Sequence, residues 1–404
     1  MQDSALTPVA DPCSEAAGAD TRRIIGYVYF TFICYLSISL PLAVLPPYVH
    51  LRMGFSAALA GLVVSIQYIA TLASRPWAGR ISDRMGAKVS VEIGMAACTL
   101  SGALLVAAAL LHGLPWLSVT TLVASRLVLG VGESLGSTGA TLWGITAAGH
   151  EHMAKVISYN GISTYGAMAI GAPLGVILDQ QWGLASLGFI TVIIGAVSYF
   201  IAANKCPIKV EPGEHLPFKH IMFRVAPHGM GLALGGVGYT VLATFVTLFY
   251  ASRHWNGAAL CLTGFGLSFI FVRLLFIHTI DRFGGYPVAK FCLLVDAVAM
   301  VILWRATSPW IALAGASLTG AGFALVFPAL GVEAVKRVEE SNRGTALGVF
   351  TAFADVSFFL TGPIAGLAIG FFGYASVFVF ALVSILAALG IVAVLAMRAP
   401  QAEG

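Results

Sequence analysis

Twelve apolar runs of about twenty residues succeed one another along the chain, from 24–49 to 374–397, and nothing constrains the fold more. Each is long enough to cross ~30 Å of hydrocarbon as a helix. Inside a bilayer the backbone must satisfy its own polar groups, which helices do within a single segment. With 58% hydrophobic and 10% charged residues, the chain could not hide so much apolar surface in water. The expected fold is an all-α membrane protein with twelve transmembrane helices, and the lipid bilayer is its first partner.

Charge then orients the helices. Placing both termini inside puts sixteen Lys and Arg in inside segments and three outside (Arg52, Arg253 and Arg305), with Arg75, Arg126 and Arg273 within or at the edge of spans. The excess of positive charge on inside loops favours this orientation, with both termini in the cytosol. Residues 1–21 are polar, acidic and proline-containing, without the charged start and short apolar core of a cleavable signal. They are expected to form a disordered cytosolic tail, and 399–404 a second one. The six cysteines show no CxxC spacing, so neither disulfides nor a metal cluster is expected. The net charge of +4 needs no nucleic acid to explain it.

Two charged stretches are copies of one another. "RPWAGRISDRMGAK" (75–88) and "RLLFIHTIDRFGGY" (273–286) each place an Arg eight positions before Asp-Arg-x-Gly, and the second follows the first by 198 residues. Gly130-x-Gly132 similarly matches Gly320-x-Gly322, and Pro173 matches Pro363 at an offset of 190. Between the copies lies "NKCPIKVEPGEHLPFKH" (204–220), a polar, Pro- and Gly-containing loop. The expected organisation is a six-helix bundle over 22–203, a central cytosolic loop over 204–223 and a second six-helix bundle over 224–398. Parallel six-helix repeats are an architecture of secondary transporters, which bind solute between the halves near the midplane.

At these residues a family resemblance enters. "GRISDRMGAK" (79–88) resembles the Gly-x-x-x-Asp-Arg-x-Gly-x-Lys loop of the major facilitator superfamily, and "RLVLGVGE" (126–133) resembles its fourth-helix Arg-x-x-x-Gly-x-Gly motif. More narrowly, "LPLAVLPPYVHLRMGFS", "ATLWGI", "VISYNGISTYGAMAIGAPLGV", "ATFVTLFY" and "AGFALVFPALGVEAVK" resemble the YhhS-like group of bacterial inner-membrane facilitators. That group is similar to efflux permeases without a firmly implied substrate. The resemblance implies that spans 1, 4, 7 and 10 line a cavity, that 2, 5, 8 and 11 flank it, and that the rest support the bundle or face lipid.

A transporter that alternates its open face must repack its helix ends, and charged loops supply reversible latches. Gly79, Asp83, Arg84, Gly86 and Lys88 form the first candidate latch. The resemblance implies that Asp83 braces the cytosolic side when the other side is open; a solvated basic turn that only sets topology is the alternative. The second copy, Asp281, Arg282 and Gly284, has Ile277 in place of the leading Gly and lacks the trailing Lys, so a weaker latch is expected there.

The fourth span carries Arg126, Gly130, Glu133 and Ser137 at i, i+4, i+7 and i+11, one face of a helix. Charges in hydrocarbon are costly and should face the bundle interior. Arg126 and Glu133 are therefore candidates for proton coupling or substrate anchoring, or else a buried structural pair whose partners lie on other helices. The family motif covers Arg126 but does not require an acid at 133. Asp355 in span 11 flanks the expected cavity and is the next candidate. Asp296 and Glu92 are expected to sit near span ends or to snorkel toward them, and Glu333 at the cytosolic end of span 10 beside Lys336 and Arg337. Possible cavity-lining residues are Tyr35, Ser137, Trp143, Tyr239, Thr240, Thr244, Phe323 and Phe327, with plain helix packing as the alternative for the aromatic and threonine positions. Aromatic rings with a few polar groups suit a small organic substrate.

Other chemistries find little support. "GVGESLG" (130–136) has no preceding strand and no βαβ unit, so it is not read as a dinucleotide loop. His150–His152 lie in a short loop that offers too few further ligands for a metal site, no Walker motif supports ATP hydrolysis, and no catalytic cluster or cofactor is expected. "GAPLG" (171–175) departs from the family's exporter motif Gly-Pro-x-x-Gly-Gly, which weakens a drug-antiporter reading. The expectation is a monomeric, non-enzymatic carrier moving a small organic solute by alternating access, by proton-coupled efflux. Uptake or facilitated diffusion of a sugar or metabolite is the nearest alternative, and a non-transporting membrane receptor is the alternative from another class.

Overall fold

A computed structural model of the chain describes residues 21–149, 153–207, 218–338 and 343–398, and no strand occurs among them. The two tails, His150–His152, most of the central loop and the Asp83 side chain lie outside the described residues. Twelve helices are long and apolar enough to cross a membrane: α1 (Thr21–Arg52), α2 (Ala57–Ser82), α3 (Ala87–Leu110), α4 (Pro115–Ala148), α5 (Lys155–Trp182), α6 (Leu184–Ala203), α7 (Ile221–Ser252), α8 (Ala258–Phe276), α9 (Gly285–Trp304), α10 (Pro309–Val335), α11 (Gly348–Phe372) and α12 (Ser376–Met397). Each overlaps one expected run, in order. An even number of crossings leaves both ends of the bundle on one side, here termed the terminal face.

Local chemistry sets the helix ends. Ser56 and Ser308 cap α2 and α10, their hydroxyls accepting the amides of Leu59 (3.2 Å) and Ile311 (3.4 Å). Pro115 and Pro309 open α4 and α10 where a missing N–H leaves nothing unpaired. Gly86 and Gly284, the glycines of the two Asp-Arg-x-Gly copies, have φ of 97° and 81°. A side chain would be strained in that conformation, which lets one helix stop and the next start at once.

Three spans are broken. α1 leaves the α conformation after Leu42 and finishes in a π turn over Tyr48–Arg52. α7 is interrupted at Gly235–Gly236 and α10 at Ala324–Leu325. Such interruptions persist in a membrane where surrounding helices shield the freed backbone. α4 runs unbroken for 34 residues.

Small residues let helices touch backbone to backbone, and they do so at matching places in the two halves. A Cβ on Gly130 would collide with the Gln67 carbonyl, and one on Gly320 with the Phe265 carbonyl. Gln67 and Phe265 differ by 198, Gly130 and Gly320 by 190, so the two sequence offsets describe one spatial repeat. The seams between halves are α2 against α11 and α5 against α8. Away from the termini the first seam is closed, with the Gly362 carbonyl against Gly61 and the Ala57 and Ala58 backbone against Gly366. His50 joins the same side, its Nε2 lying 3.0 Å from the Tyr374 hydroxyl. Toward the terminal face the seam opens: among the described residues nothing lies within 4 Å of where a Cβ would stand on Gly79 or Gly348.

Candidate functional site

Where the α2–α11 seam begins to part, an ion pair crosses it. Arg75 Nε donates to Asp355 Oδ2 at 2.5 Å, and Asp355 is buried at 4% exposure. Glu133 on α4 stands close by on the first-half side, its Oε2 accepting from the Thr71 hydroxyl at 3.1 Å. The Tyr35 hydroxyl also lies against this carboxylate. Thr71 and Arg75 are one turn apart on α2, which aims both at the same spot. Four spans therefore place two acids, one guanidinium and two hydroxyls around the point where the halves meet.

Arg126 and Glu133 do not pair directly. The Arg126 Nη2 donates to the Ile38 carbonyl at a long 3.5 Å, its Nε has no partner, and no ion pair to it occurs among the described residues. Glu133 is instead served from α2 and α1. Ser137 donates back to the Glu133 carbonyl at 2.6 Å, so its hydroxyl is occupied within its own helix. Arg75 and Thr71 were not singled out as site residues from the sequence. The signal for Arg75 was its exact repetition as Arg273 in a chain with few charges; Thr71 had none.

The α5–α8 seam carries the counterpart arrangement. Arg273 is 6% exposed and lies against Gly161, where a Cβ would come within 3.0 Å of its Cζ. Its guanidinium sits 5.6 Å from the centre of the Phe269 ring. Tyr165 packs on Phe269 at 3.8 Å between ring centres, and both lie 6.4 Å from Phe323. Tyr239 stacks on Phe323 at 6.1 Å, and its hydroxyl donates to the Met168 sulfur at 2.6 Å. An apolar aromatic wall thus faces the polar cluster across the centre of the protein.

The remaining expected lining residues have varied settings. Thr240 donates to the Gly236 carbonyl at 3.0 Å, beside the break in α7, and Thr244 is buried one turn further on. Phe327 packs on Phe350 at 5.3 Å. Trp143 requires correction: it is fully buried between Tyr27 and Phe30 and belongs to the inner core of the first half, not to a cavity wall. Asp296 also departs from expectation. It lies mid-helix in α9 at 0% exposure, against Gly238 and Gly322, with neither carboxylate oxygen hydrogen-bonded among the described residues. Glycine-lined backbone packing on two sides encloses it, so it cannot snorkel. Glu92 is half-buried and 3.8 Å from Lys88, and Glu333 accepts from Lys336 Nζ (2.9 Å) and from the Gly285 amide at the start of α9 (3.1 Å).

The copied loops fasten helices within each half. Lys88 Nζ donates to the carbonyls of Ala203 (2.7 Å) and Lys205 (2.8 Å), satisfying acceptors at the end of α6 where a cation is favoured. Its counterpart Tyr286 lies 2.8 Å from His228 Nε2 and so ties α9 to α7 and not to the last span. Lys205 sits 4.7 Å over the Tyr27 ring; partial burial, then the charge of Arg23, hold its ammonium below the usual lysine range. Gly79, Arg84, Asp281 and Arg282 make no ion pair across the halves among the described residues, and Arg282 lies over the neighbouring Phe283 ring.

Comparison with known proteins fits this geometry. The Major Facilitator Superfamily pattern matches residues 28–272 and 229–404. An uncharacterized MFS-type transporter of Burkholderia pseudomallei (strain 1106a) is 50% identical over 393 residues, covering 97% of each chain. One of Pseudomonas aeruginosa (strain LESB58) is 51% identical over 378 residues, covering 94% of each. Among solved structures, a D-xylose–proton symporter superposes with a TM-score of 0.73 at 18% identity, over 91% of this chain and 97% of that one, which shows the fold alone. Two six-helix halves, a duplicated charged loop and relatives alike over nearly their whole length lead to one conclusion: the chain belongs to the major facilitator superfamily, and is a membrane transporter and not an enzyme.

Proposed function

We propose that this transporter couples proton movement to the efflux of a small organic solute, by alternating access across the bacterial inner membrane. The observation that carries the reading is the Arg75–Asp355 ion pair across the seam, with Glu133 held beside it by Thr71. Acids at the joint between two moving bodies link protonation to motion: neutralising Asp355 releases Arg75, and the seam loses a charge-assisted tie. Glu133 exchanges the proton as the cavity opens to water, and Arg126 supplies a fixed positive charge on the same helix. The charge bias makes the terminal face cytosolic, and the parted seam there gives a cytosolic solute access to the aromatic wall. Efflux is further supported by the resemblance to the YhhS-like group. Asp83 and Arg84, with Asp281 and Arg282, act as the loop latches of this cycle, Lys88 fastens the first loop to its own half, and the chain works as a monomer.

Proteoliposomes with and without an imposed pH gradient test the coupling. Wild-type protein is expected to accumulate solute uphill only with the gradient. Glu133→Gln is expected to abolish uphill movement while sparing downhill exchange. Full gradient-driven accumulation by a well-folded Glu133→Gln protein would remove Glu133 from the role and leave Asp355 as the coupling acid.

A further inference from the structure

The two seams hold one duplicated site that has diverged. On the α2–α11 side it consists of Thr71, Arg75, Glu133 and Asp355. Shifting the first two by 198 and the third by 190, and setting Asp355 back by 190, gives Phe269, Arg273, Phe323 and Tyr165. All four of these lie together on the α5–α8 side. The arginine is present in both copies. Every oxygen-bearing partner of the first has become an aromatic ring in the second, with the Tyr165 phenol where Asp355 would be.

We infer that Arg273 is the anchor for the carboxylate of a transported aromatic or similarly flat organic anion, whose body lies on Tyr165, Phe269 and Phe323. The inference rests on the transport reading and names its substrate class. A guanidinium stays charged at any physiological pH, and one buried in a membrane span without a counter-charge is costly. Arg273 has a ring below it and Gly161 beside it, its Nε is unpartnered, and no carboxylate pairs with it among the described residues. The counter-charge that Asp355 provides to Arg75 is absent, so it has to arrive with the ligand. The glycine matters as well: a side chain at 161 would fill the space against the face of the guanidinium. A planar carboxylate matches the guanidinium fork, and the rings around it suit an apolar, π-bearing body.

The test uses full-length protein in nanodiscs of zwitterionic lipid with no gradient imposed, so it reads binding independently of coupling. Benzoate, 4-phenylbutyrate and p-coumarate are compared with their neutral amides by thermal stabilisation and by equilibrium binding. Wild-type protein is expected to bind at least one acid and to prefer it over its amide. Arg273→Gln should weaken that binding ~30-fold or more, the scale of truncating one partner of a buried charge pair. Tyr165→Asp should restore the first copy's ion pair, raising the melting temperature while abolishing acid binding. Equal binding of acid and amide, no binding of any acid by wild type, or acid binding retained in either variant would overturn the inference. So would stabilisation by added phosphatidylglycerol in place of the aryl acids, which would assign Arg273 to a lipid headgroup. Failure of the pH-gradient experiment with acid binding intact would instead count against proton coupling alone.

Discussion

Glu133 and Phe323 occupy equivalent places in the two halves, 190 residues apart on α4 and α10: Glu133 takes the Thr71 hydroxyl one turn from Arg75, and Phe323 lies 6.4 Å from the Phe269 ring that Arg273 covers. One half presents a carboxylate at that place and the other a phenyl ring. The repeated backbone contacts make the two seams alike in frame, so they differ chiefly in these side chains. A polar seam can change its protonation, while an aromatic seam can hold an organic body.

The Arg75–Asp355 pair should be worth more as a pair than either residue alone. Arg75→Gln leaves the buried Asp355 without its counter-charge and is expected to cost about 3 kcal/mol, with Asp355→Asn costing less because the guanidinium retains partial access to water. The double variant should be more stable than the sum of the two losses by ~1–3 kcal/mol. Thermal unfolding of the four proteins in one detergent measures this; additive losses would show that the two groups do not interact in the folded state.

Gly61 should be essential for sealing the face away from the termini. The Gly362 carbonyl occupies the space a side chain at 61 would need. Gly61→Val is expected to hold that face apart, since overpacking costs ~1–3 kcal/mol. That is enough to shift a two-state ratio about 5- to 150-fold. Spin-label distances across that face should lengthen, and labels across the terminal face should approach one another. A variant with wild-type distances on both faces would place the closing contact elsewhere.

Helix number, the half repeat and the deep charges were legible because each follows from one-dimensional pattern: run length, displacement and rarity of charge. Partner choice was not. Arg126 and Glu133 share a helical face by spacing, yet a side chain on α4 meets its neighbours on α1 and α2 before its own second turn, so Ile38 and Thr71 became the partners. Arg75 was visible as a repeated residue, but its pairing with Asp355 depends on which helices form the seam, and periodicity carries no such information. Trp143 and Asp296 were misplaced for a related reason. Whether a face points to a cavity, to lipid or into the core depends on the tilt and approach of neighbouring helices, which Gly238 and Gly322 set for Asp296.

Lys88 and Asp83 share one loop motif and should nevertheless fail differently. Both carbonyl contacts of Lys88 lie at the end of α6, within the first half. Lys88→Met should therefore lower stability by about 1 kcal/mol, with distances between the halves unchanged. Asp83→Asn should leave the melting temperature near wild type and move the population further toward the state open at the terminal face. Paired melting curves and spin-label distances separate the two. If Lys88→Met altered the distances, its role as a cap within one half would be wrong.

Gly79, the first residue of that motif, should matter only in a state other than this one. It lies within the helix Ala57–Arg84, has no left-handed φ to protect, and a Cβ there would meet nothing within 4 Å. Where the terminal face is parted, Gly79→Leu should thus fold normally, and relief of a glycine inside a helix should add up to about 1 kcal/mol. Closing that face brings α2 toward the other half, and the same leucine would then stand where helices have to approach. The expected result is a protein with an unchanged or higher melting temperature that transports poorly and shows long distances across the terminal face under all conditions. The second copy gives the control, because Ile277 already fills the equivalent position. Ile277→Gly should not speed transport, and closure should therefore be limited by the α2 side. Normal transport by Gly79→Leu would mean that the halves close without approaching at this glycine, and the motif's leading residue would be left with no part in the cycle.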